Sequence, residues 1–281
     1  MVTAMRHGIT MFSTDQSLDV VRLAREVEAR GFDSLYLPEH THIPVSRRTP
    51  PPTGEDELNE SYKRTLDPFV ALAAAAAVTD RITLGTGIAL PAQREPIVTA
   101  KAIATLDLIA EGRTVLGIGF GWNEDELANH GVAMRDRRDV CREHVLAMQA
   151  LWRDDVAGFE GKHVTVAPSW SWPKPAAGKV PVLLGGGAGP KLFSHIAEYG
   201  DGWIPVGGTG LSTAIPELQR VAAEAGRDPA ELEIIPFGSL PDKGKLAYFE
   251  TIGVTECVFR IPSAGADEVL PILDEWAALI A

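Results

Sequence analysis

The stretch LYLPEHTHIP, residues 35–44, carries three side chains that could transfer protons or bind a metal ion. An apolar run ends at a proline and is followed at once by Glu39, His40 and His42. Imidazole is a common zinc ligand, and it is also the side chain whose charge changes closest to neutral pH. The stretch is therefore compatible with a metal site, with an acid–base pair, or with a loop that does no chemistry.

A zinc site at this place would need further ligands from the ends of other strands. The remaining histidines fall elsewhere in the predicted structure: two inside helices, one in a hairpin, one at a helix end and one near the start of a strand. In that order they are His144, His195, His163, His130 and His7. The metal hypothesis therefore lacks partners, and we expect no metal. The acid–base hypothesis needs only one imidazole positioned by a neighbour.

The elements that must position these residues alternate regularly along the chain. Short apolar runs, each followed by a helical stretch, occur eight times without a break in composition. The runs cover residues 7–12, 32–37, 81–88, 113–119, 180–184, 202–205, 232–236 and 256–259. Eight strand–helix pairs in a chain of 281 residues are typical of a TIM barrel. We therefore predict an α/β protein, a (β/α)8 TIM barrel, with residues 1–281 forming a single domain.

Two segments interrupt this alternation. Residues 47–63, which are rich in proline and acidic residues, follow the second strand, and residues 155–175 have the pattern of an irregular hairpin after the fourth strand. In a barrel, the loops that follow the strands form the active-site face. We therefore predict insertions after strands 2 and 4 and expect both to lie over the pocket.

Two glycine-rich segments stand where predicted strands end. GGGAGP, residues 185–190, joins a strand to a helix, and its glycines would let backbone N–H groups approach an anion. It lacks the third glycine of a dinucleotide-binding fingerprint, so a phosphate site on a barrel fits better. GIGFGW, residues 117–122, suggests backbone pressed against a flat ligand. Tight packing of the backbone would explain the glycines of residues 117–122 almost equally well.

The composition limits the partners and the location. A net charge of −12 and a pI near 5.1 argue against nucleic acid or an anionic membrane as partner. No apolar run approaches the roughly 18–20 residues of a membrane helix, and the N-terminus lacks a signal pattern. Cys141 and Cys257 are far apart and outside any CxxC motif, which favours buried thiols in a reducing compartment. We expect a cytoplasmic protein that acts on a small molecule.

Four motifs in a fixed order resemble the bacterial luciferase-like superfamily. They are GFDSLYLPEH (31–40), LGTGIALPAQREP (84–96), TLDLIAEGRTVLGIGFGW (105–122), and GGGAGP followed by GDGW (200–203). The resemblance extends from the first strand to about Trp203. It implies a barrel with FMN or the deazaflavin coenzyme F420 at its carboxyl-terminal face. The chain is most similar to the actinobacterial F420-dependent branch.

By that resemblance, His40 would be the catalytic residue, a general base or proton donor beside the reactive ring. Glu39 would contact the cofactor, and the Gly87–Ile88 peptide would be cis and form a backstop behind the ring. The implied cofactor-binding residues are Glu39, Gly87, Ile88, Gly119, Phe120, Gly121, Trp122, Gly186, Gly187, Ala188 and Gly189. Of these, the stretch 119–122 would line the ring and ribityl chain, and the stretch 186–189 would bind the phosphate.

The resemblance predicts an F420-dependent oxidoreductase that moves a hydride between C5 of the deazaflavin and a small organic substrate. F420-dependent sugar-phosphate dehydrogenases similar to this chain carry a glutamate where Trp122 stands, so an apolar or aromatic substrate is expected instead. An FMN-dependent monooxygenase is the first alternative, and a zinc-dependent barrel hydrolase that uses His40 and His42 is the second. A barrel that binds the cofactor without turnover is the third. A homodimer is also expected from the resemblance.

Overall fold

The computed structural model of the protein describes residues 4–50 and 57–280. Nine of its strands are parallel: β1 (Arg6–Thr10), β2 (Ser34–Leu37), β3 (Thr83–Thr86), β4 (Thr114–Ile118), β7 (Val182–Gly185), β8 (Gly202–Ile204), β9 (Glu233–Ile234), β10 (Phe237–Ser239) and β11 (Glu256–Arg260). They form one curled sheet in the order β10-β11-β1-β2-β3-β4-β7-β8-β9. The strands β5 (Ala157–Glu160) and β6 (Thr165–Ser169) form a separate antiparallel hairpin.

Helices alternate with the strands of the large sheet. Within the described ranges they are α1 (Val20–Ala29), α2 (Glu60–Arg64), α3 (Pro68–Ala76), α4 (Pro96–Ile109), α5 (Glu124–Asn129), α6 (Arg137–Arg153), α7 (Pro190–Tyr199), α8 (Leu211–Glu224), α9 (Lys243–Thr251) and α10 (Ala266–Ile280). None of these helices is long and apolar enough to cross a lipid bilayer. The alternation and the parallel pairing confirm the predicted α/β class.

Backbone hydrogen bonds join β10, at one end of the curled sheet, to the segment that follows β8 near the other end. The Phe237 N–H donates to the Pro205 carbonyl at 2.8 Å, and the Gly207 N–H donates to the Phe237 carbonyl at 2.8 Å. The seventh predicted strand, residues 232–236, is observed as the short β9, and β10 follows it after Pro236. Proline has no N–H to donate to a neighbouring strand, which explains why the ladder stops there.

A small apolar cluster fills the inside of the curled sheet. Its members are Tyr36, Leu183, Ile204, Ile235, Phe237 and Val258. Glycines in the neighbouring strands make room for these large side chains. A Cβ atom on Gly85 would lie 2.4 Å from the Tyr36 ring, and one on Gly117 would lie 2.8 Å from the Ile204 side chain. A second, larger apolar core lies between the sheet and the helices.

The predicted insertion after β2 contains the short helix α2. Leu66 N–H donates to the Ser13 carbonyl at 3.0 Å, and Thr14 forms an antiparallel bridge with Thr65. These bonds tie the end of the insertion to the loop that follows β1, on the carboxyl-terminal side of the sheet. Residues 51–56 of the predicted insertion lie outside the described residues.

The hairpin β5–β6 lies within the predicted segment 155–175 and follows helix α6. The Glu143 side chain on α6 accepts hydrogen bonds from the backbone N–H groups of Lys162, His163 and Val164 in the hairpin turn. The turn is therefore held against α6, and no contact among the described residues places the hairpin over the pocket. The expectation that this insertion overhangs the pocket is not confirmed.

We expect Gly117→Ala to lower the free energy of unfolding by about 1–3 kcal/mol, the usual cost of overpacking. The new methyl group would stand 2.1 Å from the Thr86 carbonyl oxygen, a backbone atom that cannot rotate away. Gly265→Ala is the control, because nothing lies within 4 Å of a Cβ at that position. Urea unfolding measures both variants. Equal midpoints for the two would contradict the packing described here.

Candidate active site

The loops that follow β2, β3, β4 and β7 meet at the carboxyl-terminal edge of the sheet. Glu39 N–H donates to the Ile88 carbonyl at 3.0 Å, which joins the first two loops. A Cβ atom on Gly119 would lie 2.0 Å from Ile88 Cδ1, and one on Gly185 would lie 3.3 Å from Ile88 Cγ2. The structure thus brings together the four segments that the sequence singled out, with Ile88 between them.

The peptide bond between Gly87 and Ile88 is cis, which confirms the bond that the resemblance implied. Gly87 N–H donates to the Leu37 carbonyl at 2.8 Å. A Cβ atom on Gly87 would lie 2.4 Å from the Phe237 ring, so only glycine fits there. The half-buried Ile88 side chain packs against the inner apolar cluster. It gives the edge of the sheet an apolar surface on which a flat ring could rest.

His40 is held in place by a buried carboxylate. Its Nδ1 lies 3.0 Å from both oxygens of Glu126, and the two side chains are 7% and 1% exposed. Asn123 caps α5 by accepting a hydrogen bond from the Glu126 N–H, so the helix fixes where the carboxylate stands. When Nδ1 donates to Glu126, Nε2 is left to exchange a proton with a ligand. Such an arrangement is compatible with general acid–base chemistry.

Aromatic rings surround His40. The Tyr62 ring centroid lies 5.1 Å from the imidazole and the Trp122 centroid lies 5.9 Å from it. Tyr62 also contacts Phe12 at 4.8 Å. Because Tyr62 belongs to α2, the insertion after β2 does supply one wall around the imidazole. Apart from the Glu126 carboxylate, the rings of Tyr62 and Trp122 border His40, and its side chain is only 7% exposed.

Glu39 is turned into the protein rather than toward the open edge. Its side chain is buried, Oε2 accepts from the Leu90 N–H at 2.7 Å, and Oε1 accepts from Arg94. Arg94 is bonded in turn to Asp67 at 2.6 Å. Both carboxylate oxygens of Glu39 therefore already have partners. Its contact with a cofactor remains a prediction.

The segment from Gly186 to Gly189 is open and leads into α7. Nothing lies within 4 Å of a Cβ built on Gly187 or Gly189. Helix α7 has Gly189 at its N-cap, and no side chain caps it. Pro190 has no N–H, so the N–H groups at the start of the helix that lack a capping side chain are those of Lys191 and Leu192. Trp203 Nε1 donates to the Gly186 carbonyl at 2.9 Å and fixes the start of the segment. This geometry is compatible with the predicted phosphate site.

Arg138 is a candidate site residue that the sequence analysis missed. Its guanidinium lies over the Phe120 ring, 4.2 Å from the centroid, and its Nη1 is buried without a partner among the described atoms. The same ring contacts His195 of α7 at 5.4 Å. Burial, and after it the charge of Arg138, lower the pKa of His195 below its usual value. Arg138 is thus a cation beside α7 that could bind an anion.

His42 stands apart from the His40–Glu126 pair. Its ring lies 5.5 Å from that of His130, and both imidazoles are bonded to the Thr41 hydroxyl. Burial, and next the neighbouring His42, lower the pKa of His130. Across residues 4–50 and 57–280, no group of three or more His, Cys, Asp or Glu side chains could hold a metal ion.

Known proteins resemble this chain in sequence and in structure. A family model described as luciferase-like monooxygenase matches residues 3–240. The Mycobacterium tuberculosis protein Rv0953c is 43% identical over 280 residues, which cover 99% of each chain. The F420-dependent glucose-6-phosphate dehydrogenase of Kineococcus radiotolerans is 32% identical over 217 residues, 75% of this chain and 60% of that protein. A solved F420-dependent secondary alcohol dehydrogenase, bound to an F420–acetone adduct, superposes with a TM-score of 0.80 at 20% identity and covers 99% of this chain and 98% of its own.

We expect Glu126→Gln to lower the free energy of unfolding by about 1–3 kcal/mol, because a buried charge-assisted hydrogen bond is lost. The Nδ1–H signal of His40 in proton NMR should broaden as the ring loses its fixed partner. Glu124→Gln is the control: Glu124 lies in the same helical turn but is 39% exposed and paired with Arg48. If both variants unfolded at the same urea concentration and kept the signal, Glu126 would not be holding His40.

Proposed function

Because the chain belongs to the luciferase-like monooxygenase family, we propose that it is an F420-dependent oxidoreductase that moves a hydride between C5 of the deazaflavin and a small organic substrate. The His40–Glu126 pair beside Ile88 is the observation that carries this proposal. When a carbonyl carbon gains a hydride, its oxygen must gain a proton, and the reverse holds for an alcohol. An imidazole held by one nitrogen and free at the other can supply or accept that proton.

The residues present fit a flat cofactor with an anionic tail. The uncapped start of α7 at Gly189, with Gly187 open beside it, offers N–H groups to a phosphate. Arg138 offers a guanidinium nitrogen that has no partner among the described atoms. Ile88 and the side-chain-free Gly119 leave a smooth surface for a ring. F420, when bound there, would supply the hydride chemistry.

The protein's own contribution would be orientation, exclusion of water and proton transfer. Glu126 keeps the His40 ring in one orientation, so that Nε2 faces the substrate oxygen. The rings of Phe12, Tyr62 and Trp122 exclude water and favour an apolar or aromatic substrate. No carboxylate stands at Trp122, where the similar sugar-phosphate dehydrogenases have a glutamate. A small ketone or secondary alcohol fits this environment better than a sugar phosphate.

The complete barrel and the cellular location are part of the same proposal. We propose that residues 1–281 form a single (β/α)8 barrel, supported by the bonds between Phe237 and the segment after β8. A cytoplasmic location is supported by Cys141 and Cys257, which are both free and buried.

An FMN-dependent monooxygenase remains the second candidate, favoured by the description of the family model.

Titration with oxidised F420 and, separately, with FMN tests the cofactor. We expect F420 to quench the protein's fluorescence at lower concentrations than FMN. His40→Gln should bind F420 normally but lower kcat on a panel of small ketones by about 10²–10⁴, the usual contribution of a general acid. Tight binding of FMN together with no binding of F420 would favour the monooxygenase instead.

The anion-binding part of the site has its own control within that titration. Arg138→Met should weaken F420 binding, because it removes the Nη1 group that has no partner among the described atoms. Arg135→Met should not, because Arg135 is 87% exposed and paired with Asp136 at 3.5 Å. Equal affinities of the two variants for F420 would remove Arg138 from the site.

We also propose a homodimer that buries the exposed apolar side chains of α3 and α4. Val70 on α3 is 74% exposed and Val98 on the neighbouring α4 is 68% exposed. We expect Val98→Glu to give a monomer in sedimentation velocity, since a charge would enter the apolar contact. Leu240→Glu is the control, because Leu240 is 69% exposed but lies after β10, away from these helices. A wild-type protein that sediments as a monomer would end this proposal.

A further inference from the structure

Three charged side chains link helix α3 to the loops of the candidate site. Asp67 caps α3, accepting from the Phe69 and Val70 N–H groups at 3.0 Å. Arg94 bonds to Asp67 at 2.6 Å and also to the buried carboxylate of Glu39. The Arg94 guanidinium lies over the Phe69 ring, 4.6 Å from its centroid. Arg94 is thus held from the α3 side by both an ion pair and a ring.

We propose that Arg94, acting through Glu39, is a positioning residue for His40 and Ile88. Glu39 holds both ends of the short turn between Ile88 and Leu90: its N–H donates to the Ile88 carbonyl and its Oε2 accepts from the Leu90 N–H. His40 is the next residue in the chain. Any shift of the Glu39 carboxylate would therefore move the proton carrier and the apolar backstop together. The effect on catalysis rests on the proposed function, whereas the effect on geometry does not.

The turn itself is bonded onward to β4. Ala89 N–H donates to the Gly117 carbonyl and Gly119 N–H donates to the Ala89 carbonyl, both at 2.8 Å. The position set by Glu39 is therefore transmitted to Gly119, at the start of the stretch 119–122 that includes Trp122. A single carboxylate connects the loops after β2, β3 and β4.

The charges of Glu39, Arg94 and Asp67 depend on one another. Burial lowers the pKa of Arg94, but Glu39 and Asp67 raise it by more, so the guanidinium stays charged. Burial raises the pKa of Asp67, while Arg94 and the N–H groups of Val70 and Phe69 lower it by more. Without Arg94, Glu39 would be a buried carboxylate without a cation, and such an uncompensated buried charge is strongly destabilising. Loss of Arg94 should thus displace Glu39.

An ordinary structural ion pair is the competing explanation, and Arg113 provides a matched control. Arg113 is also part-buried, and it donates to the Ile82 carbonyl and to the Thr79 carbonyl, both at 2.7 Å. It ties the residues after α3 to the start of β3, at the opposite end of the sheet from the candidate site. Arg94→Met and Arg113→Met should both lower the melting temperature. Only Arg94→Met should change the site.

The experiment uses the full chain labelled with 5-fluorotryptophan. The Trp122 signal in 19F NMR, assigned with Trp122→Phe, reports the surroundings of His40 because the two rings are 5.9 Å apart. We expect Arg94→Met to shift this signal, and Arg113→Met to leave it in place. Millimolar methylguanidinium should restore the signal in Arg94→Ala. These readouts need neither cofactor nor substrate, so they stand even if the proposed reaction is wrong.

Kinetics with F420 supply the second measurement. We expect Arg94→Met to lower kcat by about ten- to a hundredfold, the cost of a misplacement near 1 Å, with a smaller change in KM. Glu39→Gln should behave in the same way, and the double variant should lose no more than either single one. If Arg94→Met does not fold, Arg94→Lys keeps the charge but cannot bind both carboxylates, and a partial shift is expected.

Two outcomes would overturn the proposal. In the first, Arg94→Met and Arg113→Met give the same 19F chemical shift for Trp122. In the second, Glu39→Gln weakens F420 binding while Arg94→Met leaves both the binding and the signal unchanged. The second result would make Glu39 a direct cofactor ligand, as the resemblance implies, rather than the link between Arg94 and the site.

Discussion

The candidate site depends on how closely the ends of β3 and β4 approach each other. The Thr86 hydroxyl donates to the Gly117 carbonyl at 2.6 Å, and Ile88 occupies the space where a side chain on Gly119 would stand. Parallel strands place all their carboxyl ends at one edge, so residues far apart in sequence meet there. Glycine in β4 lets the loop after β3 lie across that edge. Without this contact, Ile88 could not lie beside the loop that carries His40 and the open segment 186–189 that leads into α7.

Charge is the second constraint, because an acidic protein must attract an anionic cofactor in the proposed function. The net charge of −12 is unfavourable at long range, but salt screens such fields over about 8–10 Å. Whether the anionic cofactor binds therefore depends on the charged and polar groups close to it. The N-terminus of α7, which no side chain caps, and Nη1 of Arg138, which has no partner within residues 4–50 and 57–280, are such groups, and each is local. The acidic surface can then serve solubility without preventing binding.

Much of this could be predicted from the sequence, but not the partners of the key side chains. The alternation of strands and helices and the segments around the site follow from local patterns and motifs, and the cis Gly87–Ile88 bond follows from the resemblance to the luciferase-like family. The partner of His40 does not, because Glu124, Asp125 and Glu126 are three acids in the first turn of one helix. Only the direction of α5 in the folded protein selects Glu126. Arg138, one of several charged residues in a row, gives no distinguishing signal either, and the hairpin's position depends on Glu143, far from it in sequence.

The surroundings of His40 bear on the choice between the two candidate reactions. The His40 imidazole is 7% exposed, oriented by Glu126 and bordered by Tyr62 and Trp122, so in the proposed function it would deliver a proton to one place and to few others. Reduction of a carbonyl needs such delivery to a single oxygen atom, since hydride and proton must reach neighbouring atoms of one substrate. Oxygen chemistry on FMN needs the same enclosure, but for a different reason, which is to keep water from a reactive intermediate. Enclosure alone therefore favours neither reaction, and the fixed His40–Glu126 pair is the feature on which the proposed hydride transfer rests.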